Sequence, residues 1–266
     1  MKLAGMILAT LLAGLLAAAP AAAVTREEAT IQNAMVVLRE LQVMPDLQIP
    51  DQLLSRAEGI VILPANVKVG LVFGARFGPG VLLVRNQSGD WSSPVFVKTG
   101  GGSWGFQAGG QVADIVLVLT TRRSIEGITD GKLTLGADAS VAAGPVGRTA
   151  MASTSLTFDS EVYAYSRTKG LFAGVSLEGG GIFINNKGNR RFYDGERSAT
   201  VILSSTAAPP SPADELVAEV RRLTSTASQR TAPDEPTPAA EPVQAQPAVE
   251  AKTYPMPDQE PGTEPR

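Results

Sequence analysis

Histidine and cysteine are both absent from the 266 residues. Disulfides, thiolate nucleophiles, Cys/His zinc sites and every Ser-His-Asp or Cys-His dyad are thereby excluded. Charge is also sparse: 18% of residues are Asp, Glu, Lys or Arg, and aromatics make up 5%, against a usual quarter for charged residues. Beyond the N-terminal leader, no run reaches the ~20 apolar residues that a spanning helix requires. The formal net charge of −3 is unevenly spread. From Ser225 to Arg266 three cations face seven anions, whereas Val24 to Thr224 carries 19 of each sign. A balanced body lacks the basic excess of nucleic-acid binders, so no nucleic-acid partner is expected.

What is present divides the chain into four. Residues 1–23 read as a signal peptide, with Lys2 as its basic region, an apolar stretch from Leu3 to Ala19, and small residues before a cleavage point after Ala23. Export to a periplasmic or extracellular space is the expectation, with peripheral membrane association. Residues 24–206 form the main domain. Residues 207–224 read as a linker with a short amphipathic helix, and 225–266 as a disordered, Pro-rich acidic tail holding nine of the 19 prolines.

Within the domain, Thr25 to Val43 has helical periodicity, with Ile31, Ala34, Met35, Leu38 and Leu41 on one stripe. Thr25 and Glu28 form a capping box. A second short helix is expected from Pro50 to Ala57. From Ile60 onward, short Val/Ile/Thr-rich runs punctuated by glycine predict strands: Ile60–Leu63, Val69–Phe73, Val81–Arg85, Val95–Lys98, Gly105–Gly110, Ile115–Thr121, Leu133–Val141, Ser153–Phe158, Val162–Ser166, Leu171–Leu177 and Gly181–Asn185. A brief helix fits Ser124 to Thr129. The fold expected is α+β and β-dominated: a strongly curved, Gly-rich antiparallel sheet with N-terminal amphipathic helices packed on it. Repeated glycine inside strand-like segments points to bends, bulges or close backbone approach.

Three patterns imitate catalytic motifs. Gly100 to Gly105 fits G-x-G-x-x-G, but the segment after it reads as strand, whereas a dinucleotide site needs a helix opening there. Ser166-Arg167-Thr168-Lys169 fits S-x-x-K and Lys98-Thr99-Gly100 fits K-T-G, as in penicillin-recognising enzymes. Their order is reversed and no S-D-N element lies between them, which leaves a serine-lysine hydrolase as the remote alternative. Asp114, Asp138, Asp159 and Glu161 show no spacing of an acid/base pair or metal loop. No cofactor, metal or catalytic residue is expected.

A longer pattern is more informative. Ile49-Pro50, Leu53-Leu54 and Ala57-Glu58-Gly59-Ile60 lead to Val69-Gly70 and Phe73-Gly74-Ala75-Arg76-Phe77-Gly78-Pro79-Gly80-Val81. Trp91-Ser92-Ser93-Pro94 and Gly105-Phe106-Gln107-Ala108-Gly109 come next. The run Thr134 to Arg148 and the run Tyr163 to Gly179 complete it. In this order the blocks resemble the SYLF domain, also called the Ysc84-type domain, over roughly Arg26 to Thr206, in an exported, bacterial-type member.

The resemblance implies a non-catalytic module that binds lipid. Eukaryotic relatives bind phosphoinositide membranes, partly through an amphipathic helix and basic residues, and some fungal ones bind actin beside an SH3 domain. Here no SH3 segment is found and the leader argues against actin. The expected partner is an anionic lipid or membrane surface, with the Pro-rich tail as a possible tether to another protein in an envelope scaffold. Candidate lipid-binding residues are Lys68, Arg76, Arg122, Arg123, Arg148, Arg167, Lys169, Arg190 and Arg191. In the Gly-rich blocks around Arg76 and Arg148, bare backbone N–H groups and a guanidinium could cradle a phosphate, or each Arg could pair with an Asp such as Asp114 or Asp138. The first helix carries only Arg26 and Arg39 against Glu27, Glu28 and Glu40, so packing on the sheet competes with membrane insertion as its role.

Overall fold

The computed structural model describes residues 24–44, 47–70, 73–104, 109–144, 158–169, 180–195 and 197–231. Six helices are described: α1 (Arg26–Val43), α2 (Asp51–Ser55), α3 (Arg122–Thr129), α4 (Asn186–Phe192), α5 (Ala199–Ser204) and α6 (Ala213–Thr231). The strands are β1 (Gly59–Gly70), β2 (Phe73–Val84), β3 (Val95–Trp104), β4 (Gly109–Leu119), β5 (Lys132–Thr134), β6 (Val141–Ala143), β7 (Val162–Lys169) and β8 (Gly181–Ile184). They form one curled sheet in the order β5-β8-β3-β2-β1-β4-β7-β6. All neighbours are antiparallel except β6 and β7, which run parallel, so the sheet is mixed where an antiparallel one was expected.

Alternation along the strands fills two cores. Ile60 and Ile62 of β1, with Val81 and Leu83 of β2 and Val116 and Val118 of β4, face a layer containing α1, α2 and α6. Their neighbours Val61, Leu63, Leu82, Leu117 and Leu119 face the opposite way, where Ile125 and Ile128 of α3 meet Leu133, Leu135 and Ile182. Each such side chain removed from water contributes about 1.5–3 kcal/mol before conformational entropy is charged against it. A cysteine-free chain has no covalent substitute for this burial.

The first helix behaves as its sequence implies at the N-terminus. Glu28 N–H donates to Thr25 Oγ1 at 3.2 Å and Thr25 N–H to Glu28 Oε2 at 2.7 Å, closing the capping box. Its apolar stripe, Ile31, Ala34, Met35, Leu38 and Leu41, is buried. The helical layer is not N-terminal alone, however. Leu216, Val217, Val220 and Ala227 of α6 are buried in the same core, and Trp91 Nε1 donates to Thr224 Oγ1 at 2.9 Å. The segment expected as a linker helix is therefore part of the packed domain. It continues to Thr231, through residues 225–231 that were assigned to the tail. Buried Thr224 and Ala227 extend its apolar face, and Thr224 Oγ1 donates to Val220 O at 2.9 Å. A hydroxyl returned to its own helix lets a polar residue be buried there.

The strands are longer than the sequence runs that announced them. Ile60–Leu63 and Val69 belong to a single strand that passes through Pro64, and Gly74 to Gly80, expected as a separator, lies inside β2. A bulge makes this possible. Pairing of β1 shifts between Leu63 and Asn66, and Ala65 sits at φ +50°. The displaced β1 backbone approaches β2 so closely that a Cβ on Gly80 would lie 2.4 Å from Leu63 Cδ2 and 2.7 Å from Ile62 O. Glycine is required there for space. Leu133 to Val141 splits into β5 and β6 around a turn, with Gly136 at φ +85°. The expected strands Ser153–Phe158 and Leu171–Leu177 fall almost wholly or wholly outside the described residues.

Candidate functional site

The core covers only part of the long strands. Outward from it, Val67–Gly70, Gly74–Gly78, Gly100–Gly102 and Gly110–Val112 form a glycine-rich end of the sheet. On this end the ladder sets two rows of side chains. Lys68 pairs with Arg76 of β2 and with Gln111 of β4, and Arg76 pairs with Gly101 of β3. In the adjacent row Val67 pairs with Phe77 on one side and Val112 on the other. Successive rows point to opposite faces. The continuous register of β2 puts Phe77 on the face of Val81 and Leu83, and Arg76 on that of Leu82.

The first row is electrostatically unusual. Two cations stand directly opposite one another across a strand pair, an arrangement that destabilises a sheet when left uncompensated. Burial, and after it the neighbouring Arg76 charge, push the Lys68 ammonium below its usual value. Burial also pushes Arg76 down. Among the described residues no carboxylate pairs with Lys68. Beside them, Asn66 Nδ2 donates to Thr99 Oγ1 at 2.5 Å, and a Cβ on Gly78 would lie 2.8 Å from Asn66 Nδ2. The groups on this floor are small and neutral.

The other candidate cations are placed differently. Arg167 donates to Asp114 Oδ2 at 2.6 Å and also pairs with Glu40 of α1. Both partners raise its pKa, the bond from Asp114 most of all. Asp114 is thus committed to Arg167, while its Oδ1 accepts the N–H of Ala65 at the β1 bulge, 2.9 Å away. Arg122 pairs with Glu58 at 2.7 Å, and Arg191 pairs with Glu27. Arg122 and the exposed Arg123 open α3 beyond the far end of β4, whose last residue is about 26 Å along the strand from Gln111 at ~3.3 Å per residue. Arg190 and Arg191 lie on α4, whose Asn189 Oδ1 accepts the N–H of Phe96 at the core end of β3. Lys169 pairs in register with Val112, though its side chain is outside the described residues, as is all of Arg148. The structure therefore joins Lys68 to Arg76, ends β7 at Lys169 on the same end of the sheet, and sets Arg122, Arg123, Arg190 and Arg191 elsewhere.

The catalytic look-alikes do not assemble. Gly100, Gly101 and Gly102 are in mid-strand on β3, where no helix N-terminus is available for a pyrophosphate. Lys98 on β3 and Ser166 on β7 are separated by β2, β1 and β4. Four strand spacings amount to about 19 Å, too far for one active site. Among the described residues no cluster of acidic side chains could hold a metal ion, and no helix is long and apolar enough to cross a membrane. A cavity of about 350 Å³ lies between Tyr193, Arg197, Ile202 and Pro209, with Arg197 the one charged residue among the described residues that line it.

Part of the chain, from β3 onward, matches a family model. Residues 100–223 match the Ysc84 family model, described as Las17-binding protein actin regulator. Over that stretch the chain is similar to the Ysc84 family. LAS seventeen-binding protein 3 of Saccharomyces cerevisiae is 39% identical over 174 residues, 64% of this chain and 38% of the relative. SH3 domain-containing protein PJ696.02 of Schizosaccharomyces pombe is 40% identical over 171 residues, 63% of this chain and 40% of the relative. SH3 domain-containing YSC84-like protein 1 of Homo sapiens is 35% identical over 191 residues, 70% of this chain and 56% of the relative. The chain thus spans well under two thirds of these relatives' own length. The yeast relative is named for binding and the family model is described as an actin regulator, and neither supports setting actin aside. The Ysc84-family match begins at Gly100 and ends at Leu223, so it includes most of α6, in agreement with the packing of that helix into the core.

Nothing in the sequence periodicity singled out Lys68 and Arg76 from the other basic residues. They are eight positions apart around a hairpin, and only the register places them side by side. The hairpin register sets the match: paired residues here have numbers that sum to 144, as 70 and 74 do, and so do 68 and 76.

Proposed function

We propose that this Ysc84-like domain is a non-catalytic module that binds anionic membrane surfaces through the glycine-rich end of its sheet. The supporting observation is the opposition of Lys68 and Arg76 across β1 and β2, with no carboxylate on Lys68 among the described residues. A phosphate or carboxylate of a lipid head group beside Lys68 would give its ammonium a counter-charge that no described carboxylate supplies. The surrounding glycines would let that group approach the backbone. On this reading the leader exports the chain, and the domain acts at an envelope membrane.

Co-sedimentation with phosphatidylcholine vesicles, with and without about a third phosphatidylserine, tests the proposal. Binding should require the anionic lipid, weaken with added salt, and be lost in the Lys68→Glu/Arg76→Glu variant. Equal and negligible binding to both vesicle types at low salt would overturn it. A second reading is favoured by the relatives' names: a protein-binding module in a scaffold, with a partner of the Las17 or actin-regulating kind or one held by the Pro-rich tail. A pull-down whose partner survives charge reversal at Lys68 and Arg76, but not removal of residues 233–266, would support the tail as the tether.

A further inference from the structure

The face of the sheet end opposite the cations carries the largest coherent group of exposed apolar side chains among the described residues. Phe77 is 53% exposed, Val69 43% and Val112 39%. Phe77 and Val112 flank Val67 on the two neighbouring strands, and Val69 is the next residue of β1 on that face. The apolar row therefore crosses three strands about 4.8 Å apart. The remaining exposed large apolar residues, Val24, Val36, Val43 and Val201, are scattered over or near α1 and on α5. The helical layer that covers Val81 and Leu83 on this same face stops short of Phe77.

We infer that the domain meets the bilayer with this end of the sheet, edge-on, rather than with α1. This rests on the anionic-surface reading above and adds which residues enter the membrane. Phe77, Val69 and Val112 lie in the boundary between head groups and acyl chains, while Lys68, on the reverse face of β1, holds a head-group anion. Apolar side chains beside cations at one end of a rigid element match the chemistry of an anionic membrane interface. The first helix is committed elsewhere. Its apolar stripe is buried, Glu27 is paired with Arg191 near its N-terminus, and Glu40 is paired with Arg167 near its C-terminus.

The absence of native cysteine permits a direct test. Phe77→Cys, Val112→Cys and, as the helix control, Val36→Cys are labelled singly with an environment-sensitive fluorophore. Each is mixed with anionic vesicles containing nitroxide-labelled lipid. The label at 77 and 112 should shift to the blue and be quenched, and that at 36 should do neither. Phe77→Ser, checked for an unchanged melting curve, should partition about tenfold more weakly into anionic vesicles. Quenching at 36 but not at 77 would overturn the inference in favour of α1, and binding with quenching at none of the three would overturn it outright. A concentration-dependent dimer that Phe77→Ser dissociates, without vesicle quenching, would assign the row to self-association instead. If no variant or parent binds vesicles at all, the anionic-surface reading falls first, and this inference with it.

Discussion

Arg167 and Asp114 are cross-strand partners on β7 and β4, joined at 2.6 Å. The same guanidinium pairs with Glu40 of α1, and the same carboxylate accepts the Ala65 N–H at the β1 bulge. One buried carboxylate thus fixes three things: the left-handed Ala65, the β4–β7 edge and the seating of the first helix. It also explains why Arg167, a basic residue in the family-like run, is not available to a head group.

Removing one partner of this pair should cost more than removing both. Arg167→Met leaves Asp114, only 8% exposed, without its cation, and should lower unfolding stability by about 2–4 kcal/mol. Arg167→Met combined with Asp114→Asn should recover a measurable part of that loss, because the amide oxygen still accepts from Ala65. Urea denaturation of the two single variants and the double variant measures the coupling. Additive losses would show that the pair is not coupled.

Asp90 and Arg221 form a second, more exposed clasp, from the turn after β2 to α6, at 2.7 Å. The hydrogen bond from Arg221 is the main cause holding the Asp90 carboxyl below its usual value. A depressed folded pKa contributes stability above the unfolded value, about 3.9, which is lost as pH falls through the folded value. Both side chains are about half exposed, so solvent screening should keep the coupling to roughly 0.5 kcal/mol. A double-mutant cycle with Asp90→Asn and Arg221→Gln should show it at neutral pH. It should vanish once acid has protonated Asp90, and shrink in high salt at any pH.

Thr224 tests whether α6 is integral to the domain. Thr224→Val keeps the shape but leaves the Trp91 indole N–H, in a side chain 5% exposed, without its acceptor. The expected loss is about 1–3 kcal/mol, with a change in tryptophan emission. Thr224→Ser, which retains the hydroxyl, should preserve the emission spectrum. A chain ending before Ala213 should expose the apolar surface α6 covers and fail to fold cooperatively by calorimetry.

Gly80→Ala should destabilise by about 1–3 kcal/mol, since its Cβ would overlap Leu63 and a backbone carbonyl in a packed core. Gly102→Ala, whose nearest atom would be 3.8 Å away, should be close to neutral in the same thermal melt. Similar losses for both would mean that strand propensity, rather than steric room, sets the effect.

Local pattern carried the first helix well: the 3–4 spacing from Ile31 to Leu41 and the Thr25–Glu28 box are found as read. It misread Gly74–Gly80 as a separator because glycine is usually a strand breaker, whereas here it admits the bulged β1 backbone. The helix Asn186–Phe192 also escaped, having two apolar-face residues at most and a glycine within it. Its Asn185 side chain caps Gly188 N–H at 3.1 Å, and its place is fixed by Asn189 reaching Phe96 across 93 positions. No window of sequence contains such a bond.

Composition by itself determined that this chain has no imidazole or thiol chemistry and that its cations and anions balance within the domain, and the order of its blocks carried the resemblance to the Ysc84 type. Tertiary structure decided which cations are committed and which are set against each other. Arg167 and Lys169 are neighbours in sequence, yet Arg167 is neutralised by residues 53 and 127 positions away. Lys68 faces Arg76 only because a hairpin register places them in one row. Charge count is a property of composition. Charge pairing depends on strand register and on where a helix lands, which are settled by the burial of two cores on either side of one sheet.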